Sequence, residues 1–264
     1  MKKYFVIGNP INHSLSPKLH NYWIKENNID AIYDKKKIEE KNLQNIISEV
    51  KEKKISGINV TVPFKKAVIP YLDKLSPEAE QTQSVNTIIL SNDNLVGHNT
   101  DIYGFTKAIE DLNFNIQDKI FFILGAGGVV PSIIFALNKM NVSKIIISNR
   151  TRQKADDLKS QFKFLNVIDW GNLPKFDVII NATSLGLNNE AINLNFSDIG
   201  VNKLFYDVIY NPSETNFLKV GKKFGNRSEN GKLMFVYQAM EAFKLWHGIE
   251  PKINDETLKL LEND

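Results

Sequence analysis

The run Ile120-Phe121-Phe122-Ile123-Leu124 is followed at once by Gly125-Ala126-Gly127-Gly128-Val129-Val130. No other junction in the chain limits the possible folds as much. An unbroken apolar run of this length suits a strand buried on both faces, as in a parallel sheet. Glycines placed between such a strand and a helix start form a tight turn whose amides can approach a phosphate at the helix N-terminus. Pro131 suits the first turn of that helix. Val130 stands where such turns usually carry a further glycine, so close packing of helix on strand must be met in another way. The plain alternative is a glycine-rich strand–helix turn with no ligand. The next strand, over 145–147, ends in Ser148-Asn149-Arg150-Thr151-Arg152 and offers no carboxylate for the ribose hydroxyls of NAD. Two guanidiniums and a hydroxyl suit a 2′-phosphate, which points to NADP over a helix-capping Thr151 among surface arginines.

Strand-like and helix-like segments alternate along nearly all 264 residues, the pattern of an α/β protein with mainly parallel sheet. Strands are expected at 4–7, 31–33, 57–62, 120–124, 145–147, 178–180 and 204–208. Residues 85–90 and 95–98 flank the turn-rich Ser91-Asn92-Asp93-Asn94 and read as a hairpin. Helices are expected at 41–53, from Phe64, at 101–113 and at 232–246, with Ser16, Ser213 and Asn254 as capping residues. The short polar stretch 113–118 marks where one unit gives way to the next.

Composition narrows the function classes. The net charge of +3 comes from 33 basic and 30 acidic residues, so there is no nucleic-acid footprint. Cysteine is absent, which excludes disulfides and thiolate chemistry. The four histidines lack ligand-like spacing with carboxylates, so no metal is expected. No apolar run reaches membrane-spanning length and the amino terminus does not read as a signal peptide, so a cytoplasmic protein with no membrane partner is expected.

Polar clusters in the first half follow strand ends: Ser14-Leu15-Ser16, then Asn59/Thr61/Lys65, then Asn86 with Asn99-Thr100-Asp101. In parallel sheets ligand groups gather beyond the carboxyl ends of strands, so these residues are candidates to hold a small hydroxylated or carboxylated substrate. A solvated strand face followed by a surface lysine is the plain alternative for Asn59, Thr61 and Lys65.

Taken together, GNPINHSLSPKLHN, GINVTVPFK, SVNTI, GHNTDIYGF, ILGAGGV, SNRT, INATSLG, FYDVIYNP and GKLMFVYQA resemble the shikimate dehydrogenase family, in order and over nearly the whole chain. The resemblance implies two α/β domains with a cleft between them. Residues 1–100 and 231–264 would form the substrate-binding domain, with a mainly parallel sheet. Residues 101–230 would form a Rossmann-like NADP-binding domain. It implies NADPH-dependent reduction of 3-dehydroshikimate to shikimate, in the pathway to chorismate and the aromatic amino acids. Lys65 and Asp101 match the catalytic pair. Ser14 and Ser16 match the carboxylate-binding hydroxyls, and Asn59, Thr61, Asn86, Tyr210 and Gln238 match positions around the ring. Gly125, Ala126, Gly127, Gly128, Val129, Asn149, Arg150, Thr151, Lys154, Thr183, Ser184, Val208 and Gly231 match the cofactor side. Val129-Val130-Pro131 is bulkier than the family pattern, and Lys232 replaces a usual apolar residue. Two other functions stay open: a quinate/shikimate dehydrogenase with relaxed substrate or NAD use, and a non-catalytic shikimate sensor. A homodimer stays open as well.

Overall fold

The computed structural model describes residues 1–262. The chain divides into two compact units. One comprises Met1–Phe105 with the chain from Val236 onward, and the other is Thr106–Phe235.

In the first unit the strands are β1 (Lys2–Gly8), β2 (Ala31–Lys37), β3 (Gly57–Val60), β4 (Lys74–Leu75), β5 (Thr87–Ser91) and β6 (Asn94–His98). The helices are α1 (Ser16–Glu26), α2 (Leu43–Lys51), α3 (Pro77–Thr82) and α4 (Asp101–Asp111), the last continuing past the unit's boundary. The sheet order is β2-β1-β3-β5-β6-β4, with β1 parallel to both neighbours and β5 antiparallel to both of its own. The hairpin forms as the turn chemistry predicts: Asn92 and Asp93 sit at φ 47° and 57°, the left-handed pair that a two-residue hairpin turn requires. One face of the sheet packs on α2, whose Leu43, Ile46, Ile47 and Val50 join Ile58, Val60, Val68, Val85 and Ile88 in one apolar core.

The second unit holds β7 (Ile120–Leu124), β8 (Lys144–Ser148), β9 (Asn166–Ile168), β10 (Val178–Asn181), β11 (Leu204–Asp207) and β12 (Arg227–Glu229). Between them lie α5 (Val130–Lys139), α6 (Arg152–Gln161) and α7 (Asn216–Lys223). All six strands are parallel in the order β12-β11-β10-β7-β8-β9. Numbered within the unit this is 6-5-4-1-2-3, the Rossmann arrangement that reverses direction between its first and fourth strands. The chain closes with α8 (Lys232–His247) and α9 (Asp255–Lys259), the latter capped by Asn254 and Thr257 in a reciprocal box.

Several local expectations change. No α-helix starts at Phe64: residues 65–68 form a turn and a short 3-10 turn follows at Ile69–Tyr71, where Pro70 interrupts helical hydrogen bonding. Strand β3 stops at Val60, before Thr61-Val62-Pro63. Ser16 is the first residue of α1 and not its cap, and Thr215 rather than Ser213 caps α7. The short helix α3 carries too little apolar periodicity to stand out in the sequence; Ser76 caps it by accepting the Ala79 amide.

Opposite α2 in the first unit, an aromatic cluster encloses His20. Its ring stacks on Tyr33 at 4.2 Å with the planes 2° apart, and Trp23, Phe243 and Trp246 surround it. Neither ring nitrogen has a hydrogen-bond partner among the described residues. Desolvation first, and the charge of His247 second, push its pKa down to about 3. The folded protein therefore keeps this ring neutral while the unfolded chain takes up a proton at pH 6.5. Stability from this source is complete above pH 6.5 and is lost as pH falls toward 3. The slope is about 1.4 kcal/mol per pH unit. Urea unfolding between pH 7.5 and 5 should show the midpoint falling with acidification in the native chain, and His20→Phe should flatten that dependence.

Candidate active site

The first unit's candidate residues meet where its parallel strands reverse their order. Helix α1 leads from β1 to β2 at one side, and the chain returns through α2 to β3 on the other side of β1. The loops leaving β1 and β3 diverge at that point, the crevice where open α/β sheets take their ligands. Ser14 and Ser16 follow β1, while Thr61 and Lys65 follow β3. Strand β5 runs opposite to β3, so Asn86 at its start lies at this same end, with Asn59 in register with Thr87. Strand β6 runs back and delivers Asn99, Thr100 and Asp101 there too.

Lys65 and Asp101 form the closest contact of the group. The Lys65 ammonium donates to Asp101 Oδ2 at 2.5 Å, and the two side chains are only 11% and 8% exposed. Asn86 Nδ2 donates to the other oxygen, Asp101 Oδ1, at 3.0 Å and to Thr100 Oγ1 at 2.9 Å. Asn86 Oδ1 accepts the Thr100 amide at 2.8 Å. The Asp101 amide donates to Asn99 Oδ1. Asp101 also opens α4, where the helix dipole favours a negative charge. The Lys65 carbonyl takes the Val85 amide at 2.9 Å, which fixes the loop that presents the ammonium.

Asn59 is tied equally firmly, through Nδ2 to the Asn86 carbonyl and Thr87 Oγ1, and through Oδ1 from the Tyr33 hydroxyl. Ser14 Oγ accepts the Ser16 amide, which leaves the Ser14 proton free to donate elsewhere. The Thr61 methyl packs over Gly8 at 2.5 Å from where a β-carbon would stand. Gln238, on α8, lies 3.5 Å from Asn86 Nδ2. Tyr210 belongs to the second unit, where its ring stacks on Phe235 at 4.5 Å.

In the second unit the glycine turn sits at the reversal between β7 and β10. Gly125 has φ +110°, and a β-carbon there would stand 2.6 Å from the Ala182 carbonyl oxygen. Only glycine fits both constraints. At Gly127 the nearest neighbour of such a carbon is 3.8 Å away, so the approach to the turn is open. The amides of Ala126 and Gly127 are taken by no other group among the described residues. Val130 is fully buried, so a core side chain fills the place of the further glycine. Gly231 lies so close to the Val208 carbonyl that no side chain could replace its hydrogen. Thr183 donates to Asn181 Oδ1 at 2.7 Å, and its methyl flanks Gly125; Ser184 follows it in the same loop.

Beyond β8, Thr151 occupies the cap position of α6 without capping it, so its hydroxyl is left available. Asn149 is engaged with the Thr151 carbonyl. Arg152 is held by Asp156 and Asp169, while Arg150 and Lys154 are exposed and form no ion pair among the described residues. Open backbone amides at a helix start, two unpaired cations and a free hydroxyl are a donor set that fits a phosphorylated dinucleotide.

Two residues of these networks do not stand out in the sequence motifs. Tyr33 is the inward-facing residue of an otherwise polar edge strand, and a buried tyrosine hydroxyl needs a partner. Asp207 is buried at the end of β11 and takes hydrogen bonds from Asn181, Ile209 and Thr215. Burial pushes its carboxyl up to about 6 against the pull of those donors.

Known families match along the same lines. Residues 6–88 match the shikimate dehydrogenase substrate binding domain, residues 107–192 the shikimate / quinate 5-dehydrogenase model, and residues 233–254 the shikimate 5'-dehydrogenase C-terminal domain. A shikimate dehydrogenase (NADP(+)) of Pelagibacter ubique is 54% identical over 264 residues, covering 99% of this chain and all of its own. The chain belongs to the shikimate dehydrogenase family. Among solved members of that family, the Aquifex aeolicus enzyme superposes with a TM-score of 0.90 at 36% identity, covering 100% of this chain and 98% of its own. The Thermus thermophilus enzyme, in complex with NADP(H) and shikimate, gives 0.89 at 30% identity, covering 99% and 97%.

The two glycines of the turn are expected to respond differently to a methyl group. Gly125→Ala strains the backbone and strikes Ala182, and should lower the melting temperature by several degrees. Gly127→Ala should melt with the native chain, because its methyl meets only the Ala182 carbonyl oxygen, at 3.8 Å, an ordinary van der Waals contact. Thermal unfolding followed by circular dichroism separates the two.

Proposed function

We propose that this chain catalyses the reversible NADP-dependent interconversion of 3-dehydroshikimate and shikimate, a step toward chorismate and the aromatic amino acids. One observation carries the reading: the buried Lys65–Asp101 pair stands among carboxylate- and hydroxyl-binding side chains at the sheet's reversal point. Reducing a ketone to an alcohol needs a hydride at carbon and a proton at oxygen. Bound NADPH supplies the hydride. Lys65 gives its proton to the ketone oxygen in reduction and takes the hydroxyl proton in the reverse direction. Asp101 holds the ammonium in place and accepts from a neighbouring substrate hydroxyl. Asn86, whose amide protons already go to Asp101 and Thr100, keeps that carboxylate oriented.

Ser14 and Ser16 bind the substrate carboxylate, Ser14 through the proton that it keeps free. Asn59, Thr61, Gln238 and Tyr210 read the ring hydroxyls. On the cofactor side, Gly125, Ala126, Gly127, Gly128 and Val129 cradle the pyrophosphate. Arg150, Thr151 and Lys154, with Asn149 shaping their loop, hold the 2′-phosphate. Thr183, Ser184, Val208 and Gly231 flank the nicotinamide. With Arg152 tied to two aspartates, Arg150 and Lys154 are the cations left to favour NADP over NAD. No helix among the described residues is long and apolar enough to cross a membrane, and the reading carries a cytoplasmic location with it.

The test is NADPH formation, followed by absorbance, with shikimate and with quinate, each against NADP and NAD. Turnover confined to shikimate with NADP supports the reading. Comparable rates with quinate or NAD would move the chain to the relaxed quinate/shikimate type. Binding of shikimate without turnover would make it a sensor. Lys65→Ala should lower kcat by roughly 10²–10⁴-fold, the usual worth of a positioned acid–base group. Circular dichroism should show the variant folded, and full activity in it would remove Lys65 from the chemistry.

A further inference from the structure

The Asn59 carboxamide has little freedom in how it can be oriented. Its Nδ2 lies 3.1 Å from the Asn86 carbonyl, which can only accept, so the amide nitrogen must face that way. The second Nδ2 hydrogen goes to Thr87 Oγ1 at 3.0 Å. Both donors of Asn59 are therefore occupied inside the protein. Oδ1 takes the Tyr33 hydroxyl at 2.7 Å, which leaves it one lone pair. Tyr33 is itself fixed: it is 2% exposed, and its ring is stacked between strand and helix on the face of His20 at 4.2 Å. The phenol oxygen thus stands at a defined place, its proton pointing at Asn59.

We propose that Tyr33 is a positioning residue for substrate recognition, its hydroxyl holding Asn59 so that the amide offers a substrate a single acceptor and no donor. An acceptor so presented takes a ring hydroxyl and repels a carboxylate. It thereby supports one orientation of a molecule that carries both groups. The inference rests on the shikimate reading above, because it needs a substrate hydroxyl opposite Asn59.

Tyr33→Phe keeps the ring and the His20 stack and removes only the hydroxyl. Leaving a buried acceptor without its donor should raise KM for shikimate about tenfold. KM for NADP, whose candidate residues lie in the other unit, should stay near its native value, while the melting temperature should fall by several degrees from the unpaired acceptor. A double-mutant cycle supplies the second readout: if Tyr33 acts through Asn59, Tyr33→Phe should add little in an Asn59→Ala background. An unchanged shikimate KM in Tyr33→Phe overturns the proposal. So does an equal rise in both KM values, or full additivity with Asn59→Ala. If Asn59→Ala does not fold, the comparison of the two KM values in Tyr33→Phe decides alone. Absence of shikimate turnover in the native chain removes the parent reading before any variant is measured, which keeps the two failures apart.

Discussion

A carboxylate that is 8% exposed is the constraint around which the first unit is arranged. Burying Asp101 as an anion costs several kcal/mol unless charge and hydrogen bonds replace the lost water. The protein meets that cost from three directions. Lys65 supplies the opposite charge from the loop after β3, and Asn86 supplies an amide from the start of β5. The beginning of α4 supplies its dipole, with Asn99 securing the first amide. Each source depends on a different connection, so the site needs the whole sheet in register. The single antiparallel insertion of β5 matters most here. Were β5 parallel to β3, its first residues would sit at the opposite edge and Asn86 could not reach Asp101.

The same saturation limits what these side chains can offer a ligand. Asn59 and Asn86 each look like free hydrogen-bonding amides in the sequence, yet in the fold each gives its donors to the protein. A fully satisfied polar network is rigid, because moving any member leaves a buried group unpaired. What these tied side chains leave for a ligand is small and directional, such as the ammonium protons of Lys65, the proton of Ser14 and one lone pair on Asn59. A site built this way discriminates by what it refuses as well as by what it binds.

The second unit achieves its geometry by close backbone approach. Gly125 against Ala182 and Gly231 against Val208 bring main chains to distances that no side chain allows. Asp207 locks the loops after β10 and β11 together through Asn181, Ile209 and Thr215. Both units place their candidate residues at a reversal of strand order, so one topological rule serves a polar substrate site in one and a phosphate cradle in the other.

How much of this was legible in the sequence depends on distance along the chain. The apolar run 120–124, the glycine turn, the hairpin at Asn92-Asp93 and the cap at Asn254 are local, set by periodicity and by the conformations that glycine, asparagine and proline allow. They could be read directly. The helix expected at Phe64 failed because apolar content near a proline does not specify hydrogen bonds. The cap assigned to Ser213 belongs to Thr215, a neighbour of equal capping chemistry whose hydroxyl also answers Asp207. Residue types by themselves determined the α/β class, and the motifs determined the family and the candidate list. Only the tertiary structure decided which side chains meet. The Tyr33–Asn59, Lys65–Asp101 and Asn86–Gln238 contacts join residues 26, 36 and 152 positions apart. Whether an amide is free or saturated is a property of such partners. It is fixed by strand order and register, to which no short stretch of sequence refers.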